Sequence, residues 1–314
     1  MDDIQDLIFN DGEFQASVAR KVLPYLSSRQ QKGYSTGGLY YSIHTSDEAR
    51  GTLVIVHGFS EGMYKYREFI YYMVRLGYNC VIYEHRGHGR SVRVTDENSS
   101  IHIDDFSIYL DDLLSITEEI VIPRFKDTPL YLYGHSMGGC IAALFEEQHP
   151  GMYSKLILSS PMLSLRLKGI AGLMAHTAAR LMCAAGKAEE PVRIFTEKEK
   201  FENSCSTSRE RWVYYTSVRD NNVLLKMSNP TYAWAKAAFD ASRDVMKNAG
   251  RISIPTLVFE AEKDSMVDNQ SIERFASGSS MCTLVRMQGT KHEIMSSPSA
   301  VLVKYYSEIS SFLN

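Results

Sequence analysis

Residues 129–148 read PLYLYGHSMGGCIAALFEEQ. An apolar run of one strand's length meets a Gly-x-Ser-x-Gly turn and passes at once into a helical pattern. A buried strand that runs straight into a helix calls for a parallel sheet with helices packed back onto it. Small residues are needed at Gly134 and Gly138, because a side chain would clash in so tight a reversal. The same reversal lifts the hydroxyl of Ser136 above the sheet. The alternative is a glycine-rich turn with a bystander serine. The strand before the turn and the helix after it argue against that.

The rest of the chain keeps the alternation. Strands are predicted at 38–45, 52–58, 78–85, 129–136, 155–161, 255–262 and 282–289, with a turn over Ser46–Gly51. Helical spacing covers 66–77, closing on Gly77, and 106–123, where Pro123 should stop the helix. A further helix ends the chain, VLVKYYSEISSFL. The later strands are almost continuously apolar, which predicts a doubly wound α/β fold. The segment 162–250 breaks the rhythm, with about ninety residues of helical pattern and no convincing strand. A loop that long must have structure of its own. The expected organisation is therefore a core of 1–161 and 251–314 with a helical insertion, 162–250, at the sheet's edge or over its top.

A chain of 314 residues can bury a large core without staples. Lys and Arg total 34 against 37 Asp and Glu, a net charge of -3, which speaks against nucleic acid as a partner. With 44% hydrophobic residues, the chain is not intrinsically disordered. Five dispersed cysteines with no C-x-x-C pair predict neither disulfides nor zinc and fit a reducing compartment. The first residues, MDDIQDLIFNDGEF, lack the basic and apolar regions of a signal peptide. No run reaches the length of a transmembrane helix. A cytoplasmic protein is expected, with peripheral membrane contact open to it.

Ser136 is the candidate nucleophile and needs a base. On such strand–turn–helix scaffolds the acid and then the histidine follow the serine in the chain. Only His292 lies beyond the strand 255–262. The candidate acids are Glu260, Glu262, Asp264 and Asp268. Asp264, the first carboxylate well into the loop, is preferred and Asp268 is the fallback. An oxyanion needs two preorganised donors. These should be the N–H of Met137 and that of Phe59, in the loop after the strand 52–58. His57 precedes the serine and closes a strand, so it is read as a structural residue and not as the base.

Together these residues resemble the α/β-hydrolases of the monoacylglycerol lipase and bacterial lysophospholipase family, from about Gly38 onward. The segments that carry the resemblance are VHGFSEGMYKY, YEHRGHGRS, YGHSMGG, EKDSMVD and QGTKHE. His57, Gly58, Glu61 and Tyr66 match the family's H-G-x-x-E-H-x-x-R-Y, with Gly62 in place of its His and Lys65 in place of its Arg. Glu84 replaces the Asp of D-H-R-G-H-G-x-S. Ala261, Asp264 and Val267 fit G-x-x-D-x-x-V, and Gly289, His292 and Glu293 fit G-x-x-H-E. STSRERW (206–212) and PTYAW (230–234) are similar to cap motifs of the lysophospholipase subgroup.

The resemblance implies a mostly parallel eight-stranded sheet with helices on both faces and a helical cap. It implies a serine hydrolase that cleaves the carboxylic ester of single-acyl glycerolipids through an acyl-enzyme on Ser136, with no cofactor and no metal. A carboxylesterase of short acyl or aryl esters, a serine peptidase, and an inactive protein that keeps the pocket for binding are the other readings. The expected substrate pocket is lined by His57 and Gly58, and by Leu173 and Met174 of the Met-rich stretch 170–186, read either as a lid helix over an acyl tunnel or as packing inside the cap. Arg209 and Arg211 could meet a phosphate head group, or could form a solvated charged face.

Overall fold

The computed structural model describes residues 4–93, 100–166, 170–192, 200–227 and 229–314, with the backbone alone at 170–173. Eight strands form the main sheet: β1 (Gln30–Tyr34), β2 (Tyr40–His44), β3 (Gly51–Val56), β4 (Tyr78–Tyr83), β5 (Leu130–His135), β6 (Lys155–Ser159), β7 (Thr256–Ala261) and β8 (Cys282–Met287). Their order across the sheet is β1-β2-β4-β3-β5-β6-β7-β8. β2 pairs antiparallel with both β1 and β4, and every other pairing is parallel. Strands 51–56 and 40–44 are therefore not neighbours, although they are consecutive in the chain.

The sheet sorts its side chains by the period of two. Val54, Val56, Leu132, Leu156 and Leu158 enter one core, while Leu53, Ile55, Tyr131, Tyr133 and Ile157 enter the other. Near-continuous apolar strands are what a sheet covered on both faces requires. The first core is closed by a helical run through Ser107–Ile116, Thr117–Val121 and Ile122–Phe125, by the helix Met137–Gln148, and by Tyr232–Asn248. The second is closed by the run Phe14–Ser17, Val18–Val22 and Leu23–Ser28, by Arg67–Arg75, and by Ser299–Leu313.

Two expectations need correction, and one strand had no forerunner in the sequence. Pro123 does not end its helix, which continues to Phe125. A π-type turn over Thr117–Val121 precedes the proline and takes up the clash that its ring would make in a regular α-helix. The strand Gln30–Tyr34 had no signal in the sequence. It is an edge strand, QQKGY, largely open to solvent. The segment 162–250 is not wholly separate from the core either. Its last helix, Tyr232–Asn248, buries Ala237, Ala238, Ala241 and Val245 in the first core, against Met137–Gln148. Within the segment, Asn229–Pro230 also pairs with Ser100–Ile101.

Candidate active site

The turn after β5 has the shape that the sequence demanded. Ser136 sits at φ 53, ψ -119, a backbone conformation that L-residues rarely adopt. Its N–H donates to the Ser159 carbonyl at 3.1 Å, and its own carbonyl accepts from Gly139 and Cys140 to start the helix Met137–Gln148. A Cβ at Gly134 would stand 2.4 Å from the Gly138 carbonyl oxygen, and one at Gly138 would stand 2.0 Å from the Val56 oxygen. Glycine at both places lets β3, β5 and the helix meet.

The structure brings Ser136, His292 and Asp264 together from the ends of three strands. His292 Nε2 lies 2.8 Å from Ser136 Oγ, and His292 Nδ1 lies 2.7 Å from Asp264 Oδ2. Since a carboxylate accepts at Nδ1, the proton sits there and Nε2 faces the hydroxyl as an acceptor. Asp264 is fully buried. Burial alone would raise its pKa, but the bond to His292, the histidine's charge and the N–H groups of Val267 and Met266 outweigh it and hold the carboxyl below its usual range. Those two N–H groups reach Oδ1 at 3.0 and 2.8 Å. Asp268 takes another role, capping the helix Asn269–Ser277 through Gln270 N–H and Ser271 Oγ. Glu260 pairs with Arg286, and Glu262 accepts the Gly289 N–H.

Above Ser136 opens a cavity of about 330 Å³. Phe59, Met266 and His292 line its base, and Trp212, Tyr215 and Thr216 of the helix Arg209–Asp220 form its roof. Met137 opens its helix, so its N–H has no intrahelical partner. The Phe59 N–H makes no hydrogen bond among the described residues.

The loop that carries Phe59 is braced from beneath. His57 Nδ1–H donates to the Gly58 carbonyl at 2.8 Å, and Nε2 accepts the His85 N–H at 3.0 Å. The ring of His85 packs 4.3 Å from that of His57, and His88 Nε2 accepts the Ser60 N–H. Burial pushes His57 down to about 4, and His85 and His88 well below their usual value, so the trio stays neutral. His57 is fully buried and Gly58 turns its N–H to Glu61, so neither faces the cavity. The sequence carried His85 and His88 only as family-like residues, and their bracing role had no local signal.

A second device is a buried ionic cluster. Glu61 accepts from Gly58 N–H, Lys65 Nζ and the Tyr66 hydroxyl at 2.7, 2.6 and 2.8 Å. Lys65 Nζ also donates to Glu293 at 2.6 Å, and Glu293 follows His292 in the chain. Burial opposes the charge of Lys65, but Glu293 and Glu61 outweigh it and hold the ammonium well above its ordinary pKa. The Lys65 that replaces the family's Arg thus joins the Phe59 loop to the His292 loop.

No described side chain of the helix Ile170–Ala184 lines this cavity. The helix packs against Tyr232–Asn248, with His176 against Phe239 and Asp240, and the Met174 side chain is 62% exposed. The side chain of Leu173 lies outside the described residues. The roof comes instead from Arg209–Asp220, whose mixed composition gave no apolar stripe to read. Arg211 departs furthest from expectation. It is neither solvated nor in the cavity but fully buried, bonded to Glu68 at 2.9 and 2.7 Å and to Asp11 at 2.5 Å. Arg209 pairs at the surface with Glu202.

The family model described as Hydrolase_4, serine aminopeptidase S33, matches residues 47–299. The chain belongs to this hydrolase family. Among curated proteins, the hydrolase is 26% identical to the probable lysophospholipase L2 of Haemophilus influenzae over 277 residues, 87% of this chain and 86% of that one. It is 30% identical to lysophospholipase L2 of Escherichia coli over 227 residues, 71% and 66% of the two chains. The monoacylglycerol lipase of Mycolicibacterium smegmatis is 24% identical over 88% of this chain and 95% of its own. Among solved structures, the hydrolase superposes on a soluble variant of monoglyceride lipase from Saccharomyces cerevisiae with a TM-score of 0.73, at 19% identity over 91% and 95% of the chains. These likenesses place the fold among the α/β-hydrolases. No helix among the described residues is long and apolar enough to cross a membrane.

Proposed function

We propose that the hydrolase cleaves the carboxylic ester of single-acyl glycerolipids through an acyl-enzyme on Ser136. The observation that carries this reading is the unbroken hydrogen-bonded chain from the Ser136 hydroxyl through His292 to Asp264, beneath a cavity open to a small lipid. In this mechanism His292 Nε2 takes the hydroxyl proton as Ser136 Oγ attacks the ester carbonyl. Asp264 fixes the tautomer and stabilises the imidazolium. The N–H groups of Phe59 and Met137 receive the charge that develops on the carbonyl oxygen. His292 returns the proton to the leaving alcohol, and water then frees the acid by the same steps in reverse.

Residues 200–227 act as the cap in this reading, since Trp212, Tyr215 and Thr216 close the cavity from above. The relatives named lysophospholipase and monoacylglycerol lipase support the single-acyl class. An aminopeptidase would need a free carboxylate to meet the substrate's amine. The two acids at the cavity, Glu61 and Glu293, already bond Lys65. Rates on lysophosphatidylcholine, a monoacylglycerol, p-nitrophenyl esters of graded chain length and an aminoacyl p-nitroanilide test the reading. Long single-acyl substrates should lead, and Ser136→Ala should abolish all turnover. Preference for the anilide, or equal kcat/KM from acetyl to long-chain esters, would overturn it.

A further inference from the structure

We propose that a second cavity, on the other side of Tyr64 from the active site, binds a small phosphate-bearing anion. Its volume is about 170 Å³, and Tyr64 lines both cavities. Three cations from three separate elements converge on it. They are Lys32 of β1, Arg67 at the start of its helix, and Arg90 in the loop after β4. Among the described residues, none of the three makes an ion pair.

The charge balance of the lining is lopsided. One carboxylate, Glu84, faces the three cations. It is already engaged by the backbone N–H of Arg90 at 2.7 Å and of Met63 at 3.4 Å, and burial raises its pKa, which weakens it as a counter-charge. Partial burial, then Arg90 and Arg67, lower the pKa of Lys32, so the three cations lie close enough to repel one another. A surplus of positive charge on an acidic protein, held in a concave site, favours an anionic guest. Ser42, Gln30 and Asn222 add polar groups to the same lining.

The geometry selects the class of guest. Two guanidinium groups suit the oxygens of a tetrahedral anion, which they can grip bidentately. A phosphate group carries up to two charges and three acceptor oxygens, enough to engage several donors at once. The space admits a phosphate or glycerophosphate but not an acyl chain as well. The site does not depend on the ester reading above, because none of its three cations belongs to the catalytic arrangement.

The phosphate could arrive free or on a lipid headgroup, and the arms of one experiment separate the two. Binding of inorganic phosphate and of glycerol 3-phosphate to the full chain is measured by calorimetry at constant ionic strength. Retention by phosphatidylcholine vesicles with and without phosphatidylglycerol is measured in parallel. Saturable binding of either soluble phosphate points to the free anion. Binding only to the anionic vesicles points to the headgroup. In both cases Lys32→Gln/Arg90→Gln should weaken binding at least tenfold, and the single variant Lys32→Glu, at an exposed position, should weaken it as well. Hydrolysis of p-nitrophenyl acetate should stay unchanged in these variants, and Ser136→Ala should bind like wild type. No binding in any arm, or binding indifferent to both variants, would overturn the proposal.

Discussion

Among the described residues, three serines hold backbone angles that L-residues avoid: Ser60 and Ser136 at φ 53, and Ser160 at φ 44. All three follow strands that end at the active site, β3, β5 and β6. Each such residue costs about 1–3 kcal/mol, and the cost persists only where the surroundings fix the conformation. Here the fixing is visible: the Ser160 N–H donates to the Phe259 carbonyl, and the Ser60 N–H donates to His88. The geometry of Asp264 and Asp268 makes a sharp prediction about their unequal roles. In steady-state assays on an ester, His292→Ala should lower kcat by about 10⁴- to 10⁶-fold, with the double variant Ser136→Ala/His292→Ala little worse than either single one. Asp264→Asn should cost somewhat less, and Asp268→Asn should be near wild type. A larger loss at Asp268 than at Asp264 would refute the arrangement.

Elements were legible where their signal was local. β3, β5, β6 and β7 announced themselves as apolar runs, and the elbow as a motif inside one of those runs. The order Ser136, Asp264, His292 was read from the order known for such strand–turn–helix scaffolds, and the strand positions narrowed the candidates. What the sequence could not show depended on distant partners. Gln30–Tyr34 is a strand because β2 lies beside it. The roof helix Arg209–Asp220 faces a cavity that five other segments build. Pro123 misled because its helix widens ahead of it, and Pro24 follows the same device, with a π turn over Val18–Val22. The helix Met137–Gln148 carries a prediction of its own. Burial pushes Glu146 up to about 7 and Glu147 up to about 8. The folded state therefore holds protons that the unfolded chain releases near pH 4.5, so their contribution is full below that pH and is lost as pH rises towards 7 to 8. In thermal melts, Glu146→Gln/Glu147→Gln should match wild type at pH 5 and exceed it at pH 9. Equal melting at both pH values would contradict the burial argument.

At the scale of the whole molecule, the feature that ties most segments together is Arg211. Its guanidinium joins the roof helix to Glu68 on Arg67–Arg75 and to Asp11 near the N-terminus. Asp11 in turn accepts the Ser299 N–H that opens the last helix. Removing one partner from a buried pair strands the other charge without water. Arg211→Met should therefore lower the unfolding free energy by about 3–5 kcal/mol in urea titrations, while an exposed change such as Arg209→Met stays near zero. Equal effects from the two would show that the burial of Arg211 is not what matters.

The separation of Ser136 from His292 along the chain also has a consequence in time. The two are 156 residues apart. At a synthesis rate of roughly 5–20 residues per second, the ribosome adds His292 roughly eight to thirty seconds after Ser136. During that interval Ser136 lacks the imidazole of His292, and a polypeptide that stops anywhere before residue 292 never acquires it. On the proposed mechanism the nascent chain therefore stays without its base until all eight strands of the sheet have been made, and a product that terminates before residue 292 lacks that base altogether.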